Sequence, residues 1–518
     1  METQHSYPDE KNMKGEGESL GRDMDLGQVL AVQSTPEEER RVLWKLDLIL
    51  IPLMGAAYFL QFLDKLALSQ ATLFNLRQDL NMHGNEYSWA SAIFYFGYFS
   101  WSWPSSYIMV RLPIGKYISV SVYAMIPTRY LGTKRTNTVR FLWGGVMMCH
   151  AACSNWSGLM TVRFFLGVGE AAIAPGFTLL TGMFYKREEQ PLRQSAWFFG
   201  NCLAVLIGGL IAYGIGTIET SVISHWKLLF LILGAITSFY GLVLFAMLPD
   251  SPAKAIFLKP NERAIAVQRT LKNKTGVMDT GVFKWSQAFQ ALRDPQTWLL
   301  VLNSFTSNLA NGGLTSFTSI ITAGFGFSDL KALIMQMPQG GAQIVFMLIT
   351  STAATLIPSF RILGMIFNTM VAIVGLILIW KLDSDDQAGR MVGLTLAVVY
   401  VINLPISLSI ITSNVAGFSK KSVVSSLLFI AYCVGNIVGP QFFLSSEEPS
   451  YPTGIKASMS GLVLSLFFLI CLYVYYRWEN RRRDKVYGLP EQLTVGAELQ
   501  DELSNKTDRE IESFRYLL

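Results

Sequence analysis

Apolar runs of about 20 residues, long enough to cross the hydrocarbon core of a bilayer, recur along this chain between shorter polar stretches. Twelve such spans are predicted, six at 46–69, 87–110, 141–155, 159–185, 196–217 and 228–248, and six at 298–322, 332–357, 362–380, 391–412, 423–443 and 462–476. The pattern predicts an all-α membrane protein of twelve transmembrane helices in two six-helix halves. Its expected parts are a disordered tail at 1–40, an N-terminal half at 41–248, a central loop at 249–296, a C-terminal half at 297–483 and a second tail at 484–518. Within the central loop, residues 261–269 and 283–289 have the spacing of short amphipathic helices near the bilayer surface.

Lys and Arg set the orientation, because cytoplasmic loops close to membrane ends are enriched in them. The stretches after even-numbered spans carry Arg111 and Lys116, then Lys186, Arg187 and Arg193, then eight basic residues of the central loop, Arg361, and Lys420-Lys421; the last opens with Arg477 and Arg481-Arg482-Arg483. The stretches after odd-numbered spans offer only isolated residues such as Arg77, Lys227 and Lys456. Both termini are therefore expected in the cytosol. Residues 1–39 are polar and acidic, without the basic start and short apolar core of a cleaved signal.

Composition agrees: 51% of the 518 residues are hydrophobic and 15% charged, too few charges for a soluble domain of this length. The net charge of +5 reflects the orientation pattern and gives no reason to expect nucleic acid. Cys149, Cys153, Cys202, Cys433 and Cys471 show no metal-ligand spacing, and neither disulfide nor zinc is expected. No phosphate-cradling Gly-Lys-Ser/Thr loop occurs, and His5, His83, His150 and His225 are scattered. The chain is not expected to be an enzyme or to need a cofactor; if transport is active, its energy has to come from a gradient.

Four ionisable residues stand inside apolar stretches: Asp64-Lys65 in span 1, and Arg163 and Glu170 in span 4. A charge at membrane depth costs several kcal/mol unless it is paired or faces a watery cavity, which makes all four functional candidates. Arg163 and Glu170 lie two helical turns apart, roughly 10 Å of rise, so one cavity can receive both. The bland alternatives are a snorkelling Arg163 and a self-neutralising Asp64-Lys65 pair.

The motifs Tyr58-Phe-Leu-Gln-Phe-Leu-Asp64-Lys65, Phe94-Tyr95-Phe-Gly97-Tyr98, Arg163-Phe-Phe-Leu-Gly167 with Glu170-Ala, Asn414-Val-Ala-Gly-Phe418 and Tyr432-Cys-Val-Gly-Asn436-Ile-Val-Gly-Pro440-Gln441 resemble the major facilitator superfamily. The resemblance is to its anion:cation symporter branch, most nearly the fungal allantoate permease family, and covers residues 41–483. It implies alternating access, with two halves rocking around a midplane site for a small organic anion and a proton. It lines that site with Asp64, Lys65, Arg163 and Glu170; the planar, permanently charged guanidinium makes Arg163 the anion anchor, with Lys65 beside it, and the carboxylates Glu170 and Asp64 are the proton-coupling candidates. Asn436, Tyr95, Asn311 and Gln441 are further substrate-binding candidates, with Tyr98 and Asn308 beside them, although such polar groups often serve only as interhelical glue.

The expected function is proton-coupled import of a small carboxylate, with allantoate or a related ureido acid ahead of vitamin carboxylates such as nicotinate or pantothenate. Efflux of an acidic secondary metabolite is the alternative. A non-transporting nutrient sensor is the alternative from another class, though residues 487–518 are short, acidic and without recognisable signalling features. The expected setting is the plasma membrane, with the protein acting as a monomer.

Two departures stand out. Val110 replaces the aspartate of the superfamily signature after span 2. Residues 121–140, with Arg129, Lys134, Arg135 and Arg140, intervene where relatives run almost directly into Leu-Trp-Gly-Gly, and are expected to shorten span 3 at its start; a translated intron would account for them.

Overall fold

The computed structural model describes residues 35–122, 143–186, 189–219, 222–271, 283–357, 359–488 and 506–518. Among them all regular structure is helical. Span 1 is the helix Pro36–Ala71, and its start is fixed by a capping box: Thr35 Oγ1 accepts from the Glu38 amide at 3.3 Å and the Glu38 carboxylate accepts from the Thr35 amide at 3.0 Å. Glu37, Glu38 and Glu39 in the first turn suit the positive end of the helix dipole. At 36 residues the helix is about 54 Å long, well beyond the hydrocarbon thickness. The end of the bundle where this helix starts is the near end below; the end where it finishes is the far end.

Nine helices among the described residues are long and apolar enough to span a membrane. Glu86–Arg111 and Pro295–Gly324, spans 2 and 7, have the length at 26 and 30 residues, but Tyr, Trp, Ser, Thr and Asn side chains lower their hydropathy. Span 4 is broken: Trp156–Glu170 ends at its acidic residue, and Ile173–Phe184 resumes after a two-residue turn. Pro175 supplies the reason, since it has no N–H to offer the Ala171 carbonyl.

Span 3 corrects the expectation that it begins at 141. The helix Ile114–Val122 packs along span 6, His225–Met247, as does the helix Trp143–Cys149. A Cβ on Gly115 would meet the backbone of Leu248 and Pro249, and one on Gly144 would meet Ser238. Ten steps along span 6 separate Leu248 from Ser238, and nine steps separate Gly115 from Gly144 if Trp143 is counted directly after Val122. Both pieces therefore lie on one antiparallel register, and Ile114–Val122 is the first part of span 3. Nine residues are too few to read as a span by themselves, which is why the sequence placed them in a loop. The intervening stretch, residues 123–142, lies outside the described residues.

Polar contacts join the two groups of six spans at the far end. Arg77 holds Glu448 through both carboxylate oxygens at 2.7 and 2.8 Å, Ser69 meets Ser319 at 3.0 Å, and the Tyr87 hydroxyl donates to the Ser316 carbonyl at 2.6 Å. At the near end, the stretch between the groups carries one helix against each. Pro260–Leu271 docks on the first group through Lys45–Glu262 and Arg269–Glu189 ion pairs. Trp285–Arg293 docks on the second, where Gln287 Oε1 accepts from the Ser419 amide.

The tail was expected to be featureless from 487 onward. Residues 506–518 instead lie against the near end of the second group, with Thr507, Asp508 and Tyr516 buried. No apolar period announces this segment, because single polar anchors hold it.

Candidate functional site

Spans 2 and 4 meet backbone to backbone. A Cβ on Gly97 would strike the Phe164 carbonyl, and one on Gly167 would strike the Phe94 carbonyl. Only glycine permits this approach. It sets Phe94, Tyr95 and Tyr98 against the helix that carries Arg163 and Glu170.

Asp64 and Lys65 are neighbours in sequence, yet a helix turns about 100° per residue and they diverge. Asp64 is fully buried and accepts from Trp143 Nε1 at 2.5 Å. Lys65 points instead to span 4, with its Nζ 3.6 Å from Glu170 Oε2 and 5.4 Å from the Phe94 ring centroid. The self-neutralising Asp64-Lys65 pair is thus replaced by two separate partnerships. Trp143 was used in the sequence only as a landmark; a donor on span 3 has no signal without knowing that span 3 faces Asp64.

Arg163 is 3% exposed, so it is no snorkelling interfacial residue. Its electrostatic neighbours are Tyr87, Glu170, Tyr95 and Asp64. Among the described residues no carboxylate reaches ion-pair distance of its guanidinium, and its Nε has no hydrogen-bond partner. Asp64 Oδ1 and both Glu170 oxygens are likewise buried without a hydrogen bond. The site holds two acids and two bases, of which only Lys65 and Glu170 form an ion pair.

The other group of spans presents a polar ladder. Asn311 Nδ2 donates to Asn436 Oδ1 at 2.8 Å, and Asn436 Nδ2 donates to Asn308 Oδ1 at 3.0 Å and to the Tyr432 carbonyl at 2.8 Å. The Asn436 amide is fully engaged, and the ladder ties span 7 to span 11. Span 11 also reaches span 2, where Tyr95 and Tyr432 ring centroids are 6.0 Å apart and Tyr98 and Phe429 5.3 Å apart. Gln441 lies five residues beyond Asn436, in the 3-10 turn Gly439–Phe442, with Nε2 buried and unpartnered. The structure thus joins Asp64, Lys65, Arg163 and Glu170 on one side and Asn311 and Asn436 on the other, with Tyr95 between them, and sets Gln441 nearer the far end.

A twelve-span helical bundle with buried, opposed charges on spans 1 and 4 is the architecture of a membrane transporter. Residues 54–440 match the Major Facilitator Superfamily. An uncharacterized transporter of Schizosaccharomyces pombe is 36% identical over 95% of this chain and 90% of its own length. The allantoate permease of Saccharomyces cerevisiae is 34% identical over 94% of this chain and 88% of its own length. Among solved structures, the xylose transporter XylE from E. coli, in a partially occluded inward open conformation, superposes with a TM-score of 0.55 at 12% identity, covering 81% of this chain and 95% of that one. The chain belongs to the Major Facilitator Superfamily, within its fungal allantoate permease-like members. It is a multi-pass membrane transporter of small solutes and not an enzyme.

Proposed function

We propose that the protein imports a small organic carboxylate together with a proton, by rocking residues 41–248 against 297–483 around the site. The observation that carries this reading is Arg163: a buried guanidinium with no carboxylate partner of its own among the described residues. A planar, permanently charged fork suits both oxygens of a carboxylate ligand. Lys65 adds a second positive charge, Asn311 and Asn436 face it from the second half with Tyr95 between the two sides, and Gln441 lies towards the far end.

Glu170 is the proton carrier, with Asp64 as the second candidate. A buried carboxylate resists ionisation, and a nearby cation favours it. When the ligand's negative charge draws on Lys65 and Arg163, less of their field is left for Glu170, which then takes a proton more readily. Proton binding in turn removes a negative charge from the ligand's path, and the two substrates are coupled.

The near end is the cytosolic one in this reading, as the basic stretches suggest. The ion pair and hydrogen bonds at the far end then close the site to the outside. The likeness to the allantoate permease supports a ureido acid as the first ligand to try, and the plasma membrane as the setting. Labelled allantoate, nicotinate and pantothenate, offered at acidic and neutral pH to yeast cells lacking their own permeases, test the reading. Acid-stimulated accumulation of one of them is expected. No accumulation, with the protein present at the cell surface, turns the reading to efflux or to a sensor.

A further inference from the structure

Lys420, at the start of span 11, is fully buried, and its ammonium lies 2.6 Å from Asp294 Oδ2 and 2.7 Å from Asp508 Oδ1. A buried ammonium is costly without counter-charge, and one carboxylate already balances it. The second carboxylate arrives with a second base: Arg509, beside Asp508, donates to Asp294 Oδ1 at 3.1 Å. The four groups sum to zero. Residues 506–518 therefore bring one negative and one positive charge into a cluster that is neutral both with them and without them.

Two reciprocal clamps fix their register. Asn480 accepts from the Tyr516 amide and donates to the Tyr516 carbonyl, both at 2.8 Å. Asn414 does the same for Leu517, again at 2.8 Å. An asparagine side chain satisfies a backbone N–H and C=O as a neighbouring strand would, so these contacts select one residue each. The Tyr516 ring stacks on Tyr476 at 4.7 Å and 4°, while its hydroxyl donates to Asp508. The Arg361 amide donates to the Leu518 carbonyl at 3.2 Å.

We propose that residues 506–518 form a strap that docks on the near end of the second half and binds spans 7, 9, 10, 11 and 12 into one body. Those anchors come from Asp294, Arg361, Asn414, Lys420 and Asn480, one at the near end of each of the five helices. Alternating access needs each half to move as a unit, and the strap adds a cross-link to those that the Lys420–Asp294, Arg361–Ser409 and Tyr476–Gln296 contacts already make between these helix ends. Because docking leaves the charge cluster balanced, the strap is held by Asp508 yet can leave without stranding a charge.

Hydrogen–deuterium exchange on the full-length protein in detergent tests this. In the wild type, the amides of Tyr516 and Leu517 are expected to exchange at least a hundredfold more slowly than in a free peptide of the same sequence. Asp508→Asn leaves the docked cluster with an excess positive charge, and is expected to speed their exchange at least tenfold while amides in the middle of span 9 stay as slow as before. Free-peptide exchange in the wild type, or unchanged protection in Asp508→Asn, overturns the proposal.

Discussion

The ammonium of Lys65 lies 3.6 Å from the carboxylate of Glu170, bridging spans 1 and 4 at a point where both side chains are withdrawn from solvent. Removing one partner of such a pair leaves the other as an uncompensated buried charge. Lys65→Met is expected to cost about 3 kcal/mol, seen as a lower melting temperature of the purified protein. Uptake that remains is also expected to lose the wild-type response to external pH, because no ammonium then faces the Glu170 carboxylate. A variant with wild-type melting temperature and a wild-type pH profile would show that the pair carries neither stability nor coupling.

The close approaches of Gly97 to Phe164 and of Gly167 to Phe94 set the distance between spans 2 and 4, and with it the place of Arg163. Gly167→Ala puts a methyl group onto the Phe94 carbonyl, and the helices must separate. The expected cost is about 1–3 kcal/mol, with uptake reduced at least tenfold. Gly182→Ala, on the second half of the same span, is the control: a Cβ there meets nothing within 4 Å, and stability is expected to stay within about 0.5 kcal/mol.

Deleting residues 123–142 joins Val122 to Trp143 on the register that both pieces already keep against span 6. Arg129, Lys134, Arg135 and Arg140 leave with the deletion, and charges of that kind are expensive at membrane depth. The shortened protein is expected to reach the cell surface at a higher level and to melt at a higher temperature than the full chain. Loss of folded protein on deletion would contradict the continuous span.

Acid should loosen the near end of the second half. Burial works against the charge on Asp294, but Lys420, Arg509 and a hydrogen bond from Gln296 outweigh it and hold the carboxyl below its ordinary 3.8. A carboxyl with a depressed folded-state value contributes stability above the unfolded value, and loses it as pH falls through the folded one. Asp508, which shares Lys420, and the Tyr475 hydroxyl face the same group. Melting temperature should therefore hold steady from pH 7 to about pH 4 and fall below that. Asp294→Asn should melt lower at pH 7, with the gap to wild type closing in acid.

The twelve-span plan was legible because apolar runs of span length are a strong signal, and the four charges were legible because charged residues are rare inside those runs and these four stand away from the span ends. What the charges do to one another was not. Adjacent positions left open that Asp64 and Lys65 neutralise each other, whereas helix rotation sends one to Trp143 and the other to Glu170. The insertion after Ile114–Val122 was noticed, but the segment was left out of span 3 because its other half follows twenty residues later. The segment 506–518 escaped because Asn480, Asn414 and Lys420 recognise it one residue at a time, without periodicity. Asn436 was singled out as a substrate-binding candidate of span 11, but only the geometry reveals that its amide is hydrogen-bonded with Asn308, Asn311 and the Tyr432 carbonyl.

The central claim is a division of labour, with Arg163 holding the anion and Glu170 carrying the proton. Purified protein in liposomes separates the two roles, because exchange of labelled for unlabelled substrate needs binding and rocking, whereas accumulation driven by a pH gradient needs the proton as well. Arg163→Ala is expected to lose both, at least a hundredfold, and Glu170→Gln to keep exchange while losing gradient-driven accumulation. Exchange at the wild-type rate in Arg163→Ala, or pH-driven accumulation by Glu170→Gln, would contradict the account.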